Sequence, residues 1–165
     1  MKVRRFEPHE WTPYRELRLR ALRDAPDAFG STFDREAAAS DPDWAARLAA
    51  GGDARWNHPL VVEIDGQPAG LAWGRIEPEH PERADLYPMW VAPERRGLGA
   101  ATRLLAEVIA WATEAGARTL CLNATVGDTP ANRLYASAGF EPVGPTEPLR
   151  PGSAVLAQAM RLELR

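Results

Sequence analysis

The stretch from Asp85 to Leu105, DLYPMWVAPERRGLGAATRLL, constrains the fold more than any other part of the chain. A β-rich run leads into a turn with two glycines one residue apart, Gly97 and Gly99. Behind the turn, Ala101, Leu104, Leu105, Val108, Ile109 and Ala112 keep the three-four spacing of one helix face. Strand, glycine turn and helix in this order belong to an α/β domain. The first N–H groups of such a helix have no internal partner, so its start suits an anion. Arg96 adds a permanent charge and a donor fork at the same end. Pro88 cannot donate a ladder hydrogen bond, which predicts a bulge or a local parting of the strand from its neighbour.

The periodicities on either side extend this pattern. KVRRF, residues 2–6, alternates weakly and reads as a first strand. Trp11, Tyr14, Leu17 and Leu22 fall near one face of an amphipathic helix, which Pro26 and Gly30 end and after which Ser31 or Thr32 is placed to cap another. A second helical region, interrupted at DPDW (residues 41–44), runs to Gly51 and Gly52. Residues 60–76 hold two apolar runs joined by Asp65 and Gly66, a pair that readily takes positive φ, and they form the clearest hairpin in the sequence. Charged and proline-rich EPEHPERA (77–84) is a loop. A helix is predicted from Leu98 to about Gly116, a buried strand at RTLCLNAT (118–125), a short helix at TPANRLYASAG (129–139) and a last alternating strand at SAVLAQAMRLEL (153–164). The sum is a single mixed α/β domain over residues 1–165.

Composition narrows the function. A chain of 165 residues, 45% hydrophobic and 26% charged, is long enough for one real core and ordinary for a soluble protein. No apolar run approaches the roughly 18 residues needed to cross a bilayer, and MKVRRFEPHE lacks the apolar core of a signal peptide, so a cytoplasmic protein without a membrane partner is expected. The net charge of −3, with Lys2 the only lysine, gives no general attraction to nucleic acid. Cys121 has no intramolecular partner and reads as a buried strand residue rather than a reactive thiol. His9, His58 and His80 read as solvated side chains, and no metal-ligand spacing occurs.

Three phosphate-bearing ligands could use the glycine turn: a nucleoside triphosphate, a dinucleotide, or the pyrophosphate of coenzyme A. A nucleotide-binding P-loop needs a lysine and a serine or threonine after its last glycine, whereas Ala100 and Ala101 stand here. A dinucleotide fingerprint needs a glycine or alanine where Thr102 stands, and a place after the first strand of its unit rather than past the middle of the chain.

MWVAPERRGLGAATRLL resembles the acetyl-coenzyme A signature of the GNAT N-acetyltransferase family, in which a strand ending V-x-P leads to an RxxGxG or RxxGxA loop, matched by Arg96, Gly99 and Ala101 with Gly97 between. Downstream, ANRLYASAGF is similar to the family's A-x-x-L-Y-x-x-x-G-F segment at Ala131, Leu134, Tyr135, Gly139 and Phe140. LRALRDAPDAFGST also resembles the helix and loop that open bacterial members. The resemblance implies a mixed, mostly antiparallel sheet of about seven strands, bulged and splayed in the middle and flanked by about four helices. It implies an acetyl-CoA-dependent transferase acting on a primary amine of a small molecule or peptide, without a metal. A non-catalytic acyl-CoA-binding sensor or interaction module of the same fold is the alternative.

The same resemblance assigns roles. Backbone groups of Met89, Trp90 and Val91 would pair with the pantetheine amides and the thioester oxygen. Amides from Arg96 through Gly97, Leu98, Gly99, Ala100 and Ala101 to Thr102, with the Arg96 side chain, would hold the pyrophosphate. Tyr135 alone reads as a core tyrosine; with the motif it is the candidate general acid beside the coenzyme sulfur. At the position of Asp128 the family often carries an asparagine that meets the pantetheine arm, so Asp128 either contacts the coenzyme or caps the next helix. Asp85 is the candidate base, or an exposed strand-end carboxylate. Phe29, Trp73 and Arg75 are candidates for the acceptor site, Arg75 meeting a carboxylate or phosphate, with the two aromatics otherwise core. Edge strands in such domains often pair, which makes a homodimer an expectation.

Overall fold

Asp65 and Gly66 turn the chain as expected, both in the left-handed region at φ 53° and 75°. In the computed structural model, which describes every residue from Met1 to Arg165, the elements in chain order are β1 (Lys2–Arg5), α1 (Trp11–Asp24), α2 (Phe33–Ala37), α3 (Asp41–Ala50), β2 (Asn57–Ile64), β3 (Gln67–Ile76), β4 (Arg83–Val91), α4 (Ala100–Glu114), β5 (Thr119–Thr125), α5 (Pro130–Ala138), β6 (Glu141–Pro142), β7 (Glu147–Pro148) and β8 (Leu156–Glu163). The strands form one sheet in the order β1-β2-β3-β4-β5-β8-β6, with β7 also on β8. Only the β4–β5 pair is parallel. The two-residue strands β6 and β7 bring the sheet to eight strands, and no helix is long and apolar enough to cross a membrane.

The helical region expected to be interrupted at DPDW forms two helices, α2 and α3, and DPDW begins the second. Ser40 Oγ accepts from the Asp43 amide at 3.2 Å, the Asp43 carboxylate accepts from the Ser40 amide at 3.3 Å, and Pro42 fits the first turn. α4 starts at Ala100 rather than Leu98, because Gly99 takes φ 85° and serves as N-cap, leaving Leu98 exposed in the loop.

Period-two alternation in the central strands gives the sheet two apolar faces. Leu60, Val62, Ala72, Ala84, Leu120 and Leu122 pack against Leu104, Leu105 and Val108 of α4 and Tyr135 of α5. Val61, Leu71, Trp73 and Trp90 pack on the opposite face against Tyr14, Leu17, Trp44 and Leu48 of α1 and α3. The result is helix, sheet, helix. The second helical layer stops at β4, so the same face of β5 and β8 is left open.

Two side chains depart from their expected settings. His58 is stacked on Trp111 with ring centroids 5.3 Å apart, and Arg5 donates to its Nδ1 at 2.9 Å, so it is no solvated histidine. Cys121 is only partly covered, because it points to the open face of β5 rather than toward α4.

Candidate active site

Pro88 produces the irregularity its missing N–H requires. Ala72 pairs with Met89 and Gly74 with Leu86, so Tyr87 and Pro88 together face the single residue Trp73, a bulge on β4. The Tyr87–Pro88 peptide is cis. On its other edge, β4 pairs with β5 only from Arg83–Thr119 to Asp85–Cys121. Beyond that point the strands part, leaving Leu86 to Trp90 and Leu122 to Thr125 without each other as ladder partners.

Each side of the opening is held by its own supports. On the β4 side, the Trp90 indole N–H donates to Asp24 at the end of α1 at 2.9 Å, and the Tyr87 oxygen accepts from Arg18 of α1 at 2.8 Å. On the β5 side, the Asn132 amide donates to the carbonyls of Thr125 and Gly127 at 2.8 and 2.6 Å. The loop between α1 and α2 bridges them, with Thr125 Oγ1 donating to the Asp27 carbonyl and Arg150 donating to that of Phe29 at 2.8 Å.

Below the opening lies the glycine loop. Gly97 and Gly99 take φ 79° and 85°, which glycine adopts without strain. No side chain caps the start of α4, so the amides of Ala100, Ala101 and Thr102 have neither an intrahelical nor a capping partner. Small, uncharged residues in that first turn leave room for an anion, and this donor set fits a pyrophosphate. The Arg96 side chain is engaged elsewhere, donating to Asp24 Oδ2 at 2.9 Å and to the Val91 carbonyl at 3.0 Å. Met89 is half-buried against the α4-side core, while Trp90 and Val91 are buried.

Tyr135 and Asp85 lie on opposite faces of the sheet at this opening. Tyr135 belongs to the α4-side core with only 8% of its surface exposed, edge-on to Phe140 at 5.7 Å, and burial pushes its phenol up to about 12. Asp85 alternates with Ala84 and Leu86 and so points to the open face, where Arg83 holds its carboxylate at 2.9 Å. Two adjoining cavities of about 390 and 330 Å³ occupy that face and share Tyr87, Asn123, Val143 and Ala159. Asp85, Cys121 and Arg161 line the smaller one; Gly30 and Glu147 line the larger.

Several expected contacts fall elsewhere. Trp73 is a core residue, edge-on to Tyr14 at 5.6 Å with its indole N–H on Asn57 at 3.0 Å, because it alternates with Leu71 on the face of β3 that packs against α1 and α3. Phe29 is 2% exposed beneath the Arg18 guanidinium, so its neighbours Ala28 and Gly30, not its ring, reach the cavity. Arg75 pairs across the ladder with Asp85 but bonds Glu77 at 3.0 Å and is largely exposed. Asp128 is not a cap: Thr129 Oγ1 accepts from the Asn132 amide at 3.1 Å, and Asp128 binds Arg133 at 2.8 Å on the surface.

Tyr87, Asn123, Asp24 and Arg18 escaped the sequence reading. Alternation from Asp85 signals Tyr87, and alternation from Cys121 signals Asn123, a polar residue inside an apolar strand. Nothing local marks Asp24 or Arg18, whose partners on β4 lie 66 or more positions away. No cluster of three or more histidines, cysteines or carboxylates comes together as a metal site.

The bulged β4, the parted β4–β5 pair and the uncapped start of α4 together give the bulged, splayed sheet that the resemblance to the GNAT family implies. The Acetyltransferase (GNAT) family model matches residues 10–140, and the chain belongs to that family. It is 31% identical over 102 residues to a mycothiol acetyltransferase of Pseudarthrobacter chlorophenolicus, a match covering 58% of this chain and 32% of the relative. The chain spans between 31% and 58% of the length of the curated relatives it matches. Among solved structures, a GNAT-family acetyltransferase from Streptococcus pneumoniae superposes with a TM-score of 0.83 at 19% identity, over 99% of both chains. An aminoglycoside 6'-N-acetyltransferase complexed with coenzyme A superposes with a TM-score of 0.72 at 14% identity, over 99% of this chain and 97% of that one.

Proposed function

We propose that the protein transfers the acetyl group of acetyl-CoA to a primary amine by direct attack. The observation that carries this reading is the parting of β4 from β5 between Tyr135 on one face and the open cleft with Asp85 on the other. A thioester lying in the gap has its sulfur on the Tyr135 side and is open to a nucleophile from the cleft. The α4 amides and the glycine loop hold the pyrophosphate, and the unpaired β4 edge near Met89, Trp90 and Val91 supplies amide partners for the pantetheine arm. A backbone N–H of that edge aimed at the thioester oxygen stabilises the developing oxyanion, an effect commonly worth about 10²- to 10³-fold in rate.

Proton movement follows from the acidities. The neutral amine attacks the carbonyl carbon, the tetrahedral centre collapses, the C–S bond breaks and the new nitrogen loses a proton. Asp85 is placed on the amine side to take that proton directly or through water. Burial raises the Tyr135 phenol to about 12, so it keeps its proton at neutral pH and is the candidate general acid that donates to the departing sulfur. The proton released on the amine side restores the balance.

The names of the relatives, mycothiol acetyltransferase and aminoglycoside acetyltransferase, put small polar amines first among the acceptors. The test is thiol release from acetyl-CoA with a panel of primary amines, with the N-acetyl product confirmed by mass. Release that depends on the amine supports the reading; acetyl-CoA binding without release from any amine identifies a coenzyme-binding module instead.

A further inference from the structure

Arg18 is a charged side chain where the packing alone calls for an apolar one. It is 2% exposed, and its Nε and Nη2 grip the buried Glu36 carboxylate at 3.1 and 2.9 Å. The guanidinium lies over the rings of Phe29 and Tyr87, 4.7 and 5.3 Å from their centroids. Its Nη1 is enclosed without a partner. A buried ion pair of this kind rarely stabilises a fold more than well-packed apolar residues do. What the arrangement does accomplish is a hydrogen bond: Nη2 donates to the Tyr87 oxygen at 2.8 Å.

That bond sets the direction of the Tyr87 proton. Arg18 occupies the buried side of the phenol oxygen, and no group of the chain accepts from its O–H, so the hydrogen faces the cleft. A cationic donor on the oxygen also polarises the phenol and makes it a better donor. Tyr87 is 50% exposed and lines both cavities, the one aromatic side chain that does so. Asp85 lies two residues earlier on the same face, about 7 Å along the strand.

Resting on the acetyl-transfer reading, we infer that Tyr87 is a specificity-determining residue which donates a hydrogen bond to an oxygen of the acceptor, and that Arg18 is the positioning residue that aims it. The acceptor class is therefore a primary amine with a hydroxyl or carbonyl oxygen a few bonds from the nitrogen, the nitrogen lying toward Asp85 and the oxygen toward Tyr87. A plain alkyl amine fills the same cleft but leaves the Tyr87 donor and the polar cleft wall without that partner.

The test compares kcat/KM for amines with and without the oxygen, by thiol release: ethanolamine against propylamine for a hydroxyl, glycinamide against propylamine for a carbonyl, and glucosamine against cyclohexylamine for a sugar. Differences in amine basicity cancel when the ratio in the wild type is divided by that in Tyr87→Phe, which keeps the ring over Arg18 and removes only the hydroxyl. The expected result is a preference for at least one oxygen-bearing amine that falls about tenfold in Tyr87→Phe, the size of one hydrogen bond, with the KM for acetyl-CoA unchanged. Arg18→Lys, which keeps a charge but lacks the fork, gives a similar loss of preference with the same coenzyme KM. An unchanged preference in Tyr87→Phe while acetylation persists overturns this inference alone, as does an equal rise in the KM for acetyl-CoA. Acetyl-CoA binding without thiol release from any amine overturns the acetyl-transfer reading and this inference with it.

Discussion

Arg96 donates to Asp24 Oδ2 at 2.9 Å, the oxygen that also accepts the Trp90 indole N–H. One carboxylate at the end of α1 thus ties together the β4 wall of the opening and the arginine at the glycine loop. If the pyrophosphate of acetyl-CoA recruits Arg96, it does so in competition with Asp24. Asp24→Asn keeps an oxygen for Trp90 but weakens the hold on the guanidinium, and is expected to tighten acetyl-CoA binding several-fold by calorimetry. Arg96→Glu places a carboxylate beside the same phosphates and is expected to weaken binding at least tenfold, about 1.4 kcal/mol or more. Affinity that moves in neither variant assigns Arg96 to the structure of the loop rather than to the coenzyme.

Tyr135 is expected to matter for turnover and not for coenzyme affinity. Replacing it with Phe keeps the edge-on contact to Phe140 and deletes the donor, which should lower kcat about ten- to a hundredfold while the KM for acetyl-CoA stays within a factor of about two or three. Burial raises the phenol to about 12, so its proton is kept throughout the neutral range and is lost only as pH rises through that value. Any ionisation seen in the rate between pH 6 and 9 therefore belongs to another group and should persist in Tyr135→Phe. Loss of a limb in that range on removing the hydroxyl contradicts the assignment.

Where the sequence was informative, the reason was local. Asp65-Gly66 carries its turn type in two residues and Pro88 its bulge in one missing N–H. The glycine loop and the ANRLYASAGF segment likewise read directly as motif. The acceptor side was less legible because its residues are chosen by packing between distant elements. Trp73 and Phe29 are aromatic and adjacent to the right loops, yet both take the core alternative, packed against the α1–α3 layer. Tyr87, which does line the cleft, is separated by 69 positions from the Arg18 that orients it. Asp85 reads as a strand-end carboxylate; the structure puts it on the open face with Arg83, two residues earlier on the same strand, holding its carboxylate.

His58 gives the fold a pH dependence on the acid side. Its ring is stacked on Trp111, and its environment lowers the imidazole from 6.5 to about 4, first through burial and then through the Arg5 charge beside it. The folded protein therefore resists protonation that the unfolded chain accepts at its ordinary value. Unfolding takes up a proton once pH falls below about 6.5, so this contribution to stability is complete above that pH, declines down to about 4 and is constant below. Thermal denaturation followed from pH 8 to 4 should show Tm falling through this window in the wild type. His58→Phe keeps the stack on Trp111 without a titrating group, and although it removes the acceptor for Arg5, its Tm should fall less between pH 6.5 and 4. A variant whose pH profile merely shifts downward in parallel with the wild type places the acid sensitivity in the carboxylates instead.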